Sequence, residues 1–148
     1  MARNNLANVY RAQRKDAEAE QLLTEVLTIR RRTQGPQHPD TANTLVGLAV
    51  LRLDHAKYAE AETLSREAVS GYGKTWPDNW RRYKAESVCG AALAGQRRFA
   101  EAEPLLLSGY QGLIDREATI PAADRSIVQE AGDRVERLYT DWGQPRKK

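Results

Sequence analysis

The sequence is poor in the residues from which covalent cross-links, metal sites and membrane spans are built. It has one cysteine, Cys89, and two histidines in 148 residues. A single cysteine excludes a disulfide within the chain, and a free thiol is typical of a reducing cytoplasm. No apolar run approaches the roughly 20 residues that a membrane-spanning helix needs, and the first residues lack the apolar stretch of a signal peptide. We therefore expect a cytoplasmic protein.

Residues that could form a catalytic or metal site do not converge in the sequence pattern. His38 precedes Pro39 in a predicted loop and His55 ends a predicted helix, so the two imidazoles are not expected to meet at a metal. Cys89 falls on a predicted packing row without a histidine near it in register, although a cysteine nucleophile needs a base. No glycine-rich phosphate loop follows a strand. We expect no metal, no cofactor and no enzymatic activity.

Basic residues are clustered, but the net charge of +3 is small. The clusters lie near predicted helix ends or turns, at Arg30-Arg31-Arg32, Arg81-Arg82, Arg97-Arg98 and Arg146-Lys147-Lys148. Cations near a helix C-terminus offset the helix dipole, whereas a nucleic-acid surface needs its basic clusters on one shared face. The sequence therefore favours solvated helix ends, and nucleic-acid binding is the weaker alternative.

One short segment recurs three times along the chain. It reads Ala-Glu-Ala-Glu-Gln-Leu-Leu from Ala17, Ala-Glu-Ala-Glu-Thr-Leu-Ser from Ala59 and Ala-Glu-Ala-Glu-Pro-Leu-Leu from Ala100. Recurrence at a fixed period of about 42 residues is typical of repeat architectures, in which each unit buries a face against its neighbour. The surrounding apolar residues recur at helical spacing, and short turns make neighbouring helices antiparallel.

The repeat predicts an all-α chain that forms a single domain over residues 1–148. Three helical hairpins are expected at approximately residues 1–34, 39–74 and 79–117. Their helices are predicted at approximately 1–13 and 16–33, 39–55 and 58–74, and 79–96 and 99–117. A further amphipathic helix at approximately 122–142 is expected to cap the array, because a terminal repeat otherwise exposes its apolar side.

No matching cap precedes the first hairpin. Its outer face is therefore expected to be bare, and it carries Leu6, Tyr10, Leu22 and Val26. Two explanations stay open at this point: a second copy of the chain covers this face, or the chain is a piece of a longer protein.

The segment from Gly35 to Ala68 carries the most specific pattern. Its loop reads Gly-Pro-Gln-His-Pro-Asp-Thr-Ala from Gly35, and the hairpin after it contains Leu48, Ala49 and the run Lys-Tyr-Ala-Glu-Ala-Glu from Lys57. This pattern resembles the tetratricopeptide repeat, in the 42-residue variety found in kinesin light chains. The resemblance covers residues 1 to about 115. It implies a right-handed α–α superhelix of three hairpins plus a C-terminal capping helix.

The resemblance also implies small residues where paired helices approach closely. These positions are filled by the pairs Ala7 and Ala19, Ala49 and Ala61, and Gly90 and Ala102. The sequence departs from the family pattern at Arg52, where an aromatic residue is usual, and at Ser65, where a large apolar residue is usual. Pro104 lies inside a helix, and the third hairpin has several helical glycines, which each cost about 1 kcal/mol relative to alanine. We expect that hairpin to be the softest.

In proteins with this fold, the first helices of the hairpins line a concave groove that holds an extended peptide or a partner helix. Transfer of those positions by register gives Asn4, Asn5, Asn8, Arg11, Asn43, Val46, Gly47, Val50, Leu53, Lys84, Ser87, Val88 and Ala91. An asparagine amide can pair with a peptide backbone of any sequence. The valines and Leu53 are expected to form apolar pockets, and the basic residues are expected to meet acidic groups.

Three hypotheses about function follow. The leading one is a protein–protein interaction module that binds a peptide or helix of a partner in its groove. The second is a self-association module, possible as a homodimer through the bare N-terminal face. The third comes from the resemblance alone: a C-terminal sensory or regulatory piece of a larger bacterial signalling protein, such as a serine/threonine kinase or a transcription regulator.

Overall fold

The computed structural model describes residues 16–144, which form six α-helices and two 3₁₀ turns. The helices are α1 (Asp16–Thr33), α2 (Pro39–Asp54), α3 (Tyr58–Thr75), α4 (Trp80–Gly95), α5 (Phe99–Asp115) and α6 (Ser126–Trp142). The turns Glu117–Thr119 and Ala122–Asp124 join α5 to α6. These residues contain no β-strand. The helix predicted at residues 1–13 lies outside the described part of the chain.

The described helices stack in chain order. Each packs against the next, and in addition α2 contacts α4 and α4 contacts α6. This arrangement is an α–α solenoid in which α2 and α3 form the second hairpin and α4 and α5 form the third. The predicted all-α architecture is therefore confirmed. The ends of α1 to α5 lie within two residues of the predictions, whereas α6 begins later because a 3₁₀ turn occupies Ala122–Asp124.

The loop residues account for where the helices begin and end. Gly35 adopts a left-handed conformation with φ of 90° just after α1, which a residue with a Cβ adopts at a cost. The ring Nδ1 of His38 accepts a hydrogen bond of 3.1 Å from the amide of Asp40 and so caps α2. The side chain of Asn79 does the same for the amide of Arg81 at the start of α4, at 3.0 Å. Both caps satisfy amides that have no partner within their own helix.

The hydrophobic core runs along the stack in three adjoining clusters. The first joins α1, α2 and α3 to the start of α4, and the second joins α4 and α5 to the C-terminal half of α6. The third closes the other end of α6, where Ile127 and Ala131 pack with Trp80, Leu113 and Ile120. The inward side of α6 is therefore apolar and its outer side is polar, as predicted for a capping helix.

The expectation of a bare N-terminal face is not met at Val26. Its side chain is only 5% exposed, and Leu22 is partly buried against the first core cluster. Both residues lie on α1, and Leu22 packs against the core that α1 forms with α2 and α3. Leu6 and Tyr10, the other two residues of this predicted face, lie outside the described residues.

The departures from the family pattern are accommodated locally. Ser65 is fully buried, and its hydroxyl donates to the carbonyl of Ala61 at 2.7 Å, so the polar group is satisfied within α3. Nη1 of Arg52 lies 2.7 Å from Oε1 of Glu20, in a charge contact rather than an aligned hydrogen bond. Pro104 is exposed in the second turn of α5, and the helix continues past it to Asp115.

None of the helices in residues 16–144 is both long enough and apolar enough to cross a membrane.

Candidate partner-binding groove

The first helices of the second and third hairpins, α2 and α4, border an open hollow of about 410 Å³ together with α6. Its walls come from the C-terminal halves of α2, α4 and α6, with one residue from the start of α3. The lining residues are Leu53, Asp54, Tyr58, Ala91, Ala94, Gly95, Arg134, Arg137, Leu138 and Asp141. The helices α2 and α4, which are first helices of their hairpins, therefore border this hollow, and α6 supplies another of its walls.

Two of the predicted groove residues, Leu53 and Ala91, line this hollow. Asn43 is exposed on the N-terminal half of α2, and Gly47, Val50 and Lys84 are partly exposed. Asn4, Asn5, Asn8 and Arg11 lie outside the described residues. Contact of any of these residues with a partner stays a prediction.

The prediction that Val46 and Val88 line exposed apolar pockets needs correction. Their side chains are 3% and 0% exposed and belong to the first core cluster. Ser87 is also fully buried, and its hydroxyl accepts a hydrogen bond of 3.1 Å from Nη1 of Arg134. The physical reason is that a first helix inside the stack has neighbours on three sides, so that only a narrow strip of its surface remains open. The prediction from register alone therefore assigned too many residues to the exposed strip.

The contribution of α6 to the hollow was not predicted from the sequence. Arg134, Arg137, Leu138 and Asp141 all line the hollow, although the helix was interpreted only as a cap. A signal for this role exists in the order of the elements, because α6 follows α5 as α4 follows α3 and so takes the place of a further first helix. Its charged residues at three- and four-residue spacing then face the groove.

The hollow carries both signs of charge. Asp54, Gly95 and Asp141 lie at or next to the last residues of α2, α4 and α6, and all three line the hollow. Helix C-termini carry partial negative charge, so this rim combines three helix ends with two carboxylates. Arg134 and Arg137 lie about one to two turns further back along α6. Arg137 and Asp141 are both exposed, and neither forms an ion pair with another residue in the described part of the chain.

A close contact between two hairpins shapes the floor of the hollow. A Cβ atom on Gly95 would lie 2.3 Å from Cδ1 of Tyr58, so the ring occupies the space that a side chain on α4 would need. Glycine at this position thus lets the start of α3 meet the end of α4. The ring remains partly exposed and gives the hollow an amphipathic surface.

The remaining candidate residues have structural partners. His38 caps α2, and Nε2 of His55 lies 2.8 Å from Oδ2 of Asp16. Cys89 is buried beside Ser65, and burial raises the pKa of its thiol despite a hydrogen bond with the Ser65 side chain. Within residues 16–144, no three histidine, cysteine, aspartate or glutamate side chains gather in a group that could hold a metal ion.

The basic clusters take part in packing and ion pairs on different elements. Arg30 is buried and donates to the Asp40 carbonyl at 2.8 Å, which ties α1 to the start of α2. Arg98 pairs with Glu62 at 2.8 Å, and the guanidinium of Arg81 lies 4.4 Å from the centroid of a Trp80 ring. The fourth cluster, Arg146-Lys147-Lys148, lies outside the described residues. Arg30, Arg81 and Arg98 thus have contacts of their own on different helices and turns, and nucleic-acid binding stays the weaker alternative.

The fold defines a class of protein: a stack of antiparallel helical hairpins in which the described first helices, α2 and α4, border an open hollow. The family model described as Tetratricopeptide repeat matches residues 1–74, which is half of the chain. The chain belongs to the tetratricopeptide repeat family, and the resemblance inferred from the sequence is confirmed. Repeats of this family are in general protein–protein interaction modules.

A solved structure shows the same fold. The crystal structure of BtubC (BKLC) from P. vanneervenii matches with a TM-score of 0.67 at 16% sequence identity. The match covers 99% of this chain and 66% of that chain, so this chain spans just under two thirds of the length of its structural relative. At this identity the likeness concerns the fold. Comparison with curated proteins gave no match.

Proposed function

We propose that the chain is a non-enzymatic interaction module that holds a segment of a partner protein in the groove between α2, α4 and α6. The observation that carries this proposal is the hollow of about 410 Å³, which combines the apolar, partly exposed Leu53 with exposed side chains of opposite charge. Sites of this size usually join an apolar surface to a few polar groups that fix the ligand's orientation. The module needs no cofactor, and a cytoplasmic location suits its free thiol.

The exposed strip of α2 extends the proposed surface away from the hollow. Asn43, Gly47 and Val50 lie along this strip, and Lys84 lies beside it on α4. An asparagine amide offers one acceptor and two donor hydrogens, which match the alternating groups of a peptide backbone. The proposed contact surface is thus a narrow path from Asn43 to the hollow, with Val46, Ser87 and Val88 supporting it from below.

A peptide library displayed on phage tests this proposal. Peptides selected on the wild-type chain should lose at least about tenfold in affinity for Leu53→Gln, because an apolar contact at the hollow is removed. The matched control is Ile29→Gln, which changes a large apolar side chain that is 46% exposed on α1 and borders a different hollow. Selected peptides that bind both variants as tightly as wild type would contradict the groove as the binding site.

A further inference from the structure

The charge order of the groove carries an inference about the partner, and it rests on the proposed function. Arg137 and Asp141 are four residues apart on α6, so they lie on one face of that helix, about 6 Å apart along its axis. Both line the hollow and both are exposed. Leu53 faces them from α2 across the hollow. One wall therefore offers a cation and an anion in a fixed order, and the other offers an apolar side chain.

The hollow offers two kinds of wall to a segment that enters it. The charged residues come from α6, and Leu53 comes from the end of α2. In an extended segment, successive side chains point to opposite sides. The geometry thus fits an extended segment whose alternate side chains face α6 and α2.

The spacing of the charges fits the same kind of segment. In an extended chain, residues i and i+2 face the same side and lie about 6.6 Å apart, close to the axial separation of Arg137 and Asp141. The residue between them faces the opposite wall, where Leu53 lies. We propose that the groove selects an extended segment of a partner protein with an acidic residue, an apolar residue and a basic residue in succession. The acid meets Arg137, the apolar side chain meets Leu53 and the base meets Asp141.

Three further features support this order. The basic side chain of the ligand would reach the rim of the hollow, where α2 and α4 end. The C-termini of these two helices carry partial negative charge. Asp54 adds a second carboxylate at that rim. The acid would lie one turn further in, where Arg134 is held by its hydrogen bond to Ser87. With the two ligand charges exchanged, the base would meet Arg137 and the acid would meet Asp141, and like charges would repel at both positions.

The test uses four fluorescein-labelled peptides of eight residues that differ only in a central triplet. The triplets are Glu-Leu-Lys, Lys-Leu-Glu, Glu-Leu-Glu and Gln-Leu-Gln, and binding is measured by fluorescence polarisation at low salt. At least one mixed-charge peptide should bind about fivefold more tightly than Gln-Leu-Gln, since exposed ion pairs contribute modestly. Both mixed orders are included because a peptide can lie in either direction.

Charge variants of α6 provide the decisive comparison. Asp141→Lys should lose the mixed-charge preference and favour Glu-Leu-Glu, because both positions on α6 are then basic. Glu130→Lys is the matched control: it makes the same charge change on the same helix, at an exposed residue that does not line the hollow. It should leave the order of affinities unchanged. Thermal unfolding of each variant checks that the helix is intact.

Three outcomes would overturn the inference. Equal binding of all four peptides, with loss of binding in Leu53→Gln, would leave the groove as a peptide site and remove its charge order. Binding of none of them, while library-selected peptides still bind through Leu53, would have the same meaning. Dimerisation of the wild type in light scattering, abolished by Asp141→Lys but not by Glu130→Lys, would show that the occupant is a second copy of this chain.

Discussion

The second and third hairpins have the same architecture, but they are packed with different residues. Where the second has Ala49 on its first helix and buried Ser65 on its second, the third has Gly90 and Leu106 at the equivalent positions. A Cβ atom on Gly90 would lie 2.6 Å from Cγ of Leu106, so the leucine fills the space that the glycine leaves. Compared with the second hairpin, the third therefore has less side-chain volume on its first helix and more on its second at these positions.

A second pair of positions shows the same exchange. Gly71 and Gly112 are equivalent, but a Cβ on Gly71 would meet its neighbours at 3.5 Å or more, whereas one on Gly112 would lie 2.1 Å from the ring of Tyr83. The residue equivalent to Tyr83 in the second hairpin is Ala42. Glycine in the third hairpin is therefore a packing residue, required by the large side chain opposite it.

This difference bears on the expectation that the third hairpin is the softest. That prediction counts the helix propensity that each glycine loses, about 1 kcal/mol relative to alanine. The contacts act in the opposite direction, because a buried leucine or tyrosine against a glycine removes apolar surface from water. The relative stability of the two hairpins stays a prediction, and four pairs of substitutions sharpen the comparison.

The largest effect is expected from Leu106→Ala. Leu106 is fully buried, so its truncation should lower the free energy of unfolding by about 3 kcal/mol. The loss combines the apolar surface that is no longer buried with the cavity that opens beside Gly90. The matched change in the second hairpin, Ser65→Ala, removes one hydroxyl and should cost about 1 kcal/mol. Urea unfolding followed by circular dichroism measures both. Equal losses of unfolding free energy would mean that the two hairpins are packed alike at these positions.

Gly109→Ala should come next. Its Cβ would lie 2.8 Å from the amide nitrogen of Ser87 and from the carbonyl oxygen of Tyr83, and both atoms belong to the backbone of α4. Since a helix backbone yields less readily than a side chain, we expect a loss of about 2 kcal/mol. Gly73→Ala, also in a helix, meets nothing within 4 Å and should instead gain about 0.5 kcal/mol. Stabilisation by both substitutions would show that α4 and α5 can separate at no cost.

Glu62→Gln tests the contact between the two hairpins. The Glu62 carboxylate on α3 accepts from Gln96 at 2.9 Å and from Arg98 at 2.8 Å, both in the turn of the third hairpin, and from Arg66 at 2.7 Å. Hydrogen bonds from Gln96 and then Arg66 hold the pKa of Glu62 below its ordinary value. Because the group is only partly buried, the loss at pH 7 should be about 1 kcal/mol.

The pH dependence of that loss follows from the direction of the shift. A carboxyl whose pKa is lower in the folded state stabilises it above the unfolded pKa, about 4.3, and this contribution disappears as the pH falls through the folded pKa. The difference between wild type and Glu62→Gln should therefore shrink as the pH falls from 5 to 2. Glu130→Gln, at an exposed position, should show no such trend. A constant difference across this range would contradict the charge-based explanation.

The smallest effect concerns the turns within the hairpins. Ala56 and Arg97 both have positive φ, 58° and 61°, which glycine adopts at lower cost. Ala56→Gly should raise the free energy of unfolding by about 0.5 to 1 kcal/mol. Arg97→Gly should gain less, because it also removes the guanidinium that lies 5.1 Å from the Phe99 ring centroid. Thermal melts of the two variants give this order, and an equal gain would show that the contact with Phe99 contributes nothing.

The sequence by itself determined the helices and their order. Helix formation depends on residues close along the chain, such as the cap at His38, the left-handed Gly35 and apolar residues at three- and four-residue spacing, all of which can be seen in the sequence. The recurring Ala-Glu-Ala-Glu segment gave the period of the stack and, through the resemblance, the family. Register also placed Leu53 and Ala91 on the surface that borders the hollow, and their contact with a partner stays a prediction.

Only the tertiary structure decided which side chains remain open to a partner. Val46 and Val88 share a register with exposed residues, but helices from distant parts of the chain cover them. Arg137 and Asp141 line the hollow because α6 packs beside α4, an arrangement that no local pattern specifies. Likewise, the glycines of the third hairpin lower helix propensity when they are considered alone and become packing residues once Leu106 and Tyr83 lie opposite them. Exposure and close contact depend on all the neighbours of a residue, and those neighbours come together only in the fold.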